Sequence, residues 1–141
     1  MRLQKEFDTD CPLERAAELL AEDATLEGLF PDAKTEIVER DANLRTVRSH
    51  YTALGREGVA TFHFVSEPEG EVRFEKVCDG RVWRELSGTV SLSRRRDRTR
   101  VRIELEGRTK GLVPEFTIRG PMQDQLNQMA DALESRMSGQ V

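Results

Sequence analysis

The chain reads as an α+β fold: an antiparallel sheet of about seven strands, two short helices after the first strand, and one long C-terminal helix. Three observations predict it. Helical periodicity occurs at only two places, alternation with period two fills nearly everything from Lys34 to Gly107, and the turns between alternating stretches set apolar residues opposite one another.

An extended segment opens the chain. Residues Pro12 to Ala21 then put Leu13, Ala16, Ala17 and Leu20 on one helical face, with Asp10 placed to cap the start. After Gly120-Pro121, the residues Met122, Leu126, Met129, Leu133 and Met137 follow at spacings of four, three, four and four. That is a single apolar stripe on a helix.

Between the helices, each hairpin turn fixes a register that can be checked against the apolar pattern. "RDANL" reads as a three-residue loop with Asn43 left-handed, pairing Ile37 with Val47. "GREG", turning on Arg56 and Glu57, sets Tyr51 against Phe62, Ser49 against Phe64 and His50 against His63. In "EPEGE", Pro68 opens a turn with Gly70 left-handed, setting Phe64 against Phe74 and Phe62 against Lys76. A turn on Arg96-Asp97 pairs Leu92 with Val101, Val90 with Ile103 and Gly88 with Leu105. The remaining turn, at Asp79-Gly80, brings Trp83 inward beside Lys76 but leaves Leu86, Gly88, Val90 and Leu92 out of phase. A bulge near Arg84-Glu85 reconciles them and keeps Trp83 inside.

The 141 residues are expected to form one domain, 1–141, large enough to bury a core without staples. With 22 basic and 26 acidic side chains the net charge is -4, so attraction of a polyanion would need a local patch. The densest candidate is "SRRRDRTR", with five arginines from Arg94 to Arg100. It falls on a hairpin tip with no interleaved aromatic to stack a base, so no nucleic-acid partner is expected. Cys11 and Cys78 read as reduced thiols, and no apolar run approaches the roughly 18 residues of a membrane span; a cytoplasmic location is expected.

This order of elements resembles the START-like (SRPBCC) helix-grip superfamily, which includes polyketide cyclases and coenzyme Q-binding proteins. "LEGLFPDAKTEIVER" is similar to that family's loop into its second strand, "LSGTVSLS" with "RTRVRIELEG" to its last two strands, and "IRGPMQDQLNQMADALESRM" to its closing helix. The resemblance implies a sheet curved around the last helix, with a cavity between them for an apolar or amphipathic molecule such as a lipid, quinone or polyketide.

By the register above, the inner face carries Tyr51, Phe62, Phe64, Phe74, Lys76, Trp83, Val90 and Ile103, facing Met122, Leu126, Met129 and Leu133. These are the candidate ligand-binding residues, and they would equally serve as ordinary packing. Leu112, Val113 and Phe116 join them as either a lid hinged at Gly111 and Gly120 or core at that end, because so apolar a connection is expected to bury its side chains. Ser49, Lys76 and Arg84 are polar groups in the inward phase; Lys76 either snorkels to the rim or meets an anionic ligand head.

Binding without catalysis is the primary reading, with no cofactor and with self-association into a homodimer left open. If the pocket is an enzyme, Tyr51 as acid and Lys76 as enolate stabiliser are the catalytic candidates, fitting the cyclase or dehydratase chemistry of the resembling proteins. A third class is an interaction protein using the basic tip. His50 and His63 lie on the outer face with no third ligand at matching spacing, so no metal site is expected.

Overall fold

The computed structural model describes residues 1–53, 56–68, 70–78 and 81–139. The element order is β1 (Arg2–Thr9), α1 (Leu13–Ala21), α2 (Asp23–Glu27), β2 (Lys34–Asp41), β3 (Leu44–Ala53), β4 (Arg56–Glu67), β5 (Glu71–Lys76), β6 (Trp83–Arg95), β7 (Arg98–Thr109) and α3 (Glu115–Met137). All seven strands form one curved antiparallel sheet in the order β1-β7-β6-β5-β4-β3-β2. The meander accounts for five pairings of strands consecutive in the chain, and β1 closes on β7 because Leu3 and Phe7 fall opposite Leu105 and Val101.

α3 lies across the inner face, chiefly against β1 and then β7. Its stripe of Leu126, Met129, Ala130, Leu133 and Met137 is buried with Leu19 and Leu20 of α1, Leu26 of α2, and Val47, Phe64, Val90, Val101 and Ile103 of the sheet. At roughly 1.5–3 kcal/mol for each large apolar side chain removed from water, this cluster supplies the main favourable contribution to folding.

Several expected pairings hold. Phe64 faces Phe74, Phe62 faces Lys76, and Gly70 is left-handed at φ 78°. Leu92–Val101, Val90–Ile103 and Gly88–Leu105 pair as the tip at Arg96-Asp97 requires. The β6 ladder slips between Trp83 and Glu85, the bulge that period-two continuity demands, and Trp83 is buried. The Asp79-Gly80 turn itself lies outside the described residues. Trp83 takes Thr109 as its partner, while the β5–β6 ladder ends at Glu75–Ser87, so the ladder does not set Trp83 beside Lys76 as expected.

Four expectations are corrected. Ile37 does pair with Val47, but Asp41 pairs with Leu44 across a two-residue turn whose left-handed member is Ala42 (φ 52°), and the odd residue is absorbed by a bulge between Ile37 and Glu39. The β3–β4 register differs by four residues: Tyr51 faces Gly58, Ser49 faces Ala60, and the ladder reaches Ala53–Arg56. Pairing Tyr51 with Phe62 would carry Leu44 and Arg45 past Glu67, where β4 ends at the Pro68 turn. Because the difference is even, every side chain keeps its face.

The third correction is at α1. It has no side-chain cap, and its Pro12 carbonyl accepts from Ala16 N at 2.8 Å. Asp10 instead accepts from Arg98 Nε at 2.8 Å. The fourth is at α3, which starts at Glu115 and runs through Gly120 and Pro121. Pro121 removes the N–H that would reach the Thr117 carbonyl, but both residues are exposed and water can satisfy that oxygen.

Candidate functional site

Along the strands the inner face divides into a closed end and an open end. At the closed end, α1, α2 and the second half of α3 cover the sheet. An aromatic chain runs through it, with Phe30 on Phe62 at 5.3 Å, Phe62 on Phe64 at 6.2 Å and Phe64 on Phe74 at 5.2 Å between ring centroids. Of the candidate ligand residues, Phe62, Phe64, Phe74, Val90, Ile103, Leu126, Met129 and Leu133 belong to this continuous buried cluster and touch protein.

The open end lies where β3, β5 and β7 finish and α3 begins. Here Met122 is only partly buried against the core, Ile118 and Gln125 are half-buried, and Tyr51 is 42% exposed. Ile118, Met122 and Gln125 share a helical face with Met129 by their spacing of four, three and four. The first half of α3 thus extends the core stripe over a part of the sheet that is not fully covered.

Three inner-face rings lie flat on cross-strand or neighbouring glycines. A Cβ on Gly58 would fall 2.5 Å from Tyr51 Cζ, one on Gly88 would fall 2.3 Å from Phe74 Cζ, and one on Gly107 would fall 2.6 Å from a Trp83 ring carbon. Rings laid on glycine fill the pleat where a side chain would otherwise stand; Phe74 and Trp83 are buried there, and Tyr51 is the exposed one.

Polar groups are sparse on this face. Ser49 is buried and shares a 2.8 Å hydroxyl contact with Thr35. Gln125 Nε2 is shielded from solvent with no hydrogen-bond partner among the described residues. Lys76 is half-buried beside Phe62, and no carboxylate approaches it among the described residues. These groups, with the Tyr51 hydroxyl, are the available donors for a ligand.

Leu112 and Phe116 are 97% and 81% exposed, with Val113 half-buried between them. The expectation that this connection buries its side chains is therefore corrected: α3 begins early, at Glu115, and its first turn carries Phe116 outward. Nothing stands within 4 Å of a Cβ built on Gly111 or Gly120, so neither glycine is required by crowding.

Sequence reasoning missed Arg45, which points inward from β3 at 5% exposure. It donates to the Ala21 carbonyl (3.0 Å), Asp23 Oδ1 (3.1 Å) and Ser66 Oγ (2.9 Å), locking the α1–α2 corner to the sheet. Arg40 also pairs with Asp23, and its guanidinium holds that carboxyl below the usual range. Strict alternation with Val47 and Ser49 was the signal that could have found Arg45.

The arginine tip is largely neutralised from within. Arg94 meets Glu14 (2.9 Å), Arg98 meets Asp10 (2.8 Å), and Arg100 grips Asp8 with two nitrogens (2.9 and 3.4 Å). These pairs tie β7 and the tip to β1 and α1. On the outer face His50 faces Val59 and His63 faces Thr46, so the histidines are not opposite one another. His63 Nδ1 lies 3.2 Å from Thr46 Oγ1, and no cluster with metal-binding geometry occurs among the described residues. A trough of about 500 Å³ also opens on that face, lined by Arg73, Glu75, Ser87 and Glu104 among others.

No protein-family model and no curated protein matches the chain. Solved structures do. A protein from Thermus thermophilus superposes with a TM-score of 0.79 at 19% identity, over 97% of each chain. A START superfamily protein from Mycobacterium smegmatis gives 0.76 at 18%, over 96% of each. The Zhui aromatase/cyclase from a Streptomyces species gives 0.75 at 16%, over 99% of this chain and 92% of the other. The chain has the START-like, SRPBCC helix-grip fold. No helix among the described residues is long and apolar enough to cross a membrane.

Proposed function

We propose that the chain, as a single START-like unit, binds an apolar or amphipathic small molecule, of lipid, quinone or polyketide type, at the open end of its inner face. The observation that carries this reading is the change in packing along α3. From Leu126 onward the stripe is buried, whereas Ile118, Met122 and Gln125 on the same helix are half-covered and face a sheet whose rings lie flat. Apolar walls with a few isolated polar groups are the usual make-up of a small-molecule site. Tyr51, Trp83, Ile118 and Met122 supply the walls; Gln125 and Lys76 supply a neutral donor and a cation. The more deeply buried candidates, from Phe64 to Leu133, support the site from beneath.

Trp83 is the sole tryptophan, which gives the test its reporter. Titration with anilinonaphthalene sulfonate is expected to show saturable energy transfer from Trp83, and Met122→Arg, at a half-covered position, is expected to weaken the probe at least about tenfold, or 1.4 kcal/mol. Saturable binding indifferent to Met122→Arg would remove the site from this face.

A second reading is favoured by one observation, the likeness to an aromatase/cyclase. In it Tyr51 donates a proton or hydrogen bond to a carbonyl and Lys76 stabilises the developing enolate. Turnover of an aromatic polyketide-like substrate that survives Tyr51→Phe and Lys76→Ala unchanged would exclude those roles.

A further inference from the structure

We propose that the rim of the opening docks on an anionic lipid surface, with Leu112 and Phe116 entering the interfacial layer and the surrounding cations meeting the headgroups. Single exposed apolar residues are commonplace. Here two of them, 97% and 81% exposed, stand one short turn apart at the junction of β7 and α3, with the half-exposed Val82 tied to the same rim. The junction is held in place: Lys110 N donates to the Val82 carbonyl (3.0 Å), Val113 N to the Lys110 carbonyl (2.9 Å), and Thr109 Oγ1 to the Val113 carbonyl (2.7 Å). The apolar tips are therefore presented by a fixed turn.

Charge decides the partner. Among the described residues Arg84, Arg108, Lys110 and Arg119 make no ion pair, whereas Arg94, Arg98 and Arg100 at the opposite end of the same strands each hold a carboxylate. The acid within the junction, Glu115, is engaged by the Met1 amine at 3.4 Å. Glu85 stands opposite Arg108 in the β6–β7 ladder and, with Glu75, borders the surface that Arg84 lines, so in this chain of net charge -4 the cations beside the apolar tips that make no ion pair are Lys110 and Arg119. A second copy of this chain would bring like charge against like charge across a two-fold contact, so it is disfavoured. An anionic bilayer satisfies both features, through apolar insertion and attraction of the basic rim. The inference goes beyond ligand binding and places the opening where an apolar molecule could pass between protein and bilayer without crossing water.

The test is co-sedimentation of the full chain with phosphatidylcholine vesicles, with and without phosphatidylglycerol. Binding is expected only with the anionic lipid, weakening as salt is raised. The pair Leu112→Ser and Phe116→Ser is expected to lower partitioning at least about tenfold, and Lys110→Glu or Arg119→Glu about fivefold or more each. These side chains are exposed, and an unchanged urea midpoint verifies that each variant folds. Absence of binding to anionic vesicles, or binding that the serine pair does not reduce, overturns the proposal. So does a concentration-dependent dimer that the serine pair abolishes. Probe uptake by Lys110→Glu in vesicle-free buffer is expected to match the unmodified chain, which separates a failure of docking from a failure of ligand binding.

Discussion

Replacing Gly88 by alanine tests whether the rings of the inner face are laid on glycine for a reason. Gly88 does not have a positive φ, and at such a site Gly→Ala ordinarily stabilises by about 0.4–1 kcal/mol through the unfolded chain. The structure predicts the opposite sign. The new Cβ would sit 2.3 Å from Phe74 Cζ and 2.7 Å from the Glu104 carbonyl oxygen. Neither neighbour can easily give way, because Phe74 is 4% exposed and stacked on Phe64, and the Glu104 carbonyl belongs to the backbone of β7. Overpacking of this kind costs about 1–3 kcal/mol, and with backbone as one of the two obstacles the upper half of that range applies, which leaves a net destabilisation of about 1–2.6 kcal/mol after the entropic gain. Urea unfolding followed by far-ultraviolet circular dichroism measures it. Phe74→Leu in the same chain should recover part of the loss, giving a non-zero coupling in the double-mutant cycle. Gly111→Ala, where nothing lies within 4 Å, is the control and is expected to be neutral or stabilising. A Gly88→Ala protein as stable as its parent would refute the ring-on-glycine argument.

Two further predictions concern the clamps. Arg45→Met should destabilise by about 1.5–3 kcal/mol, since it leaves the Ala21 carbonyl and Ser66 Oγ without the charged donor that holds the corner; a midpoint within error of the parent would deny Arg45 its role. Asp8 is held below the ordinary carboxylate range first by its hydrogen bond from Arg100, with burial opposing and the charges of Arg100, Arg98 and Arg95 adding to it. A depressed folded pKa makes its contribution fully present above the unfolded value of about 4 and lost as pH falls through the lower folded value. The unfolding midpoint of Arg100→Gln should accordingly fall less steeply below about pH 4 than that of the parent, and an identical slope would show that the pair carries no linkage.

The fold was legible because period-two alternation is strict over most of the chain and because two turns, at Gly70 and at Arg96-Asp97, have residues that admit one register. Even the bulge before Leu86 could be read, since Trp83 and Val90 cannot otherwise share a face. The β3–β4 register could not, because "ALGREG" offers two glycines and several equivalent turns; what decides is where β4 must end, at Pro68, a constraint from the next hairpin. The start of α3 escaped for a different reason: Gly120-Pro121 reads as a break, since proline within a helix costs about 3 kcal/mol even when exposed, yet the helix runs through it. Tyr51, Lys76 and the α3 stripe were placed on the correct face by pattern alone. How far α3 covers that face depends on its angle across β1 and β7, so the division into buried Phe64 and half-open Met122 had no sequence signal. The same holds for Leu112 and Phe116, whose composition argued for burial and whose position in the first turn of a helix turned them outward.

The central claim, that the open end of the inner face holds an apolar molecule, is tested most directly by native mass spectrometry of the full chain offered a fatty acid, a short-chain quinone and an aromatic polyketide-like compound. The account predicts one bound molecule per chain for at least one of these, retained under gentle desolvation and lost in Met122→Arg. A folded chain that takes up none of them, or one that binds equally well with arginine at position 122, would contradict it.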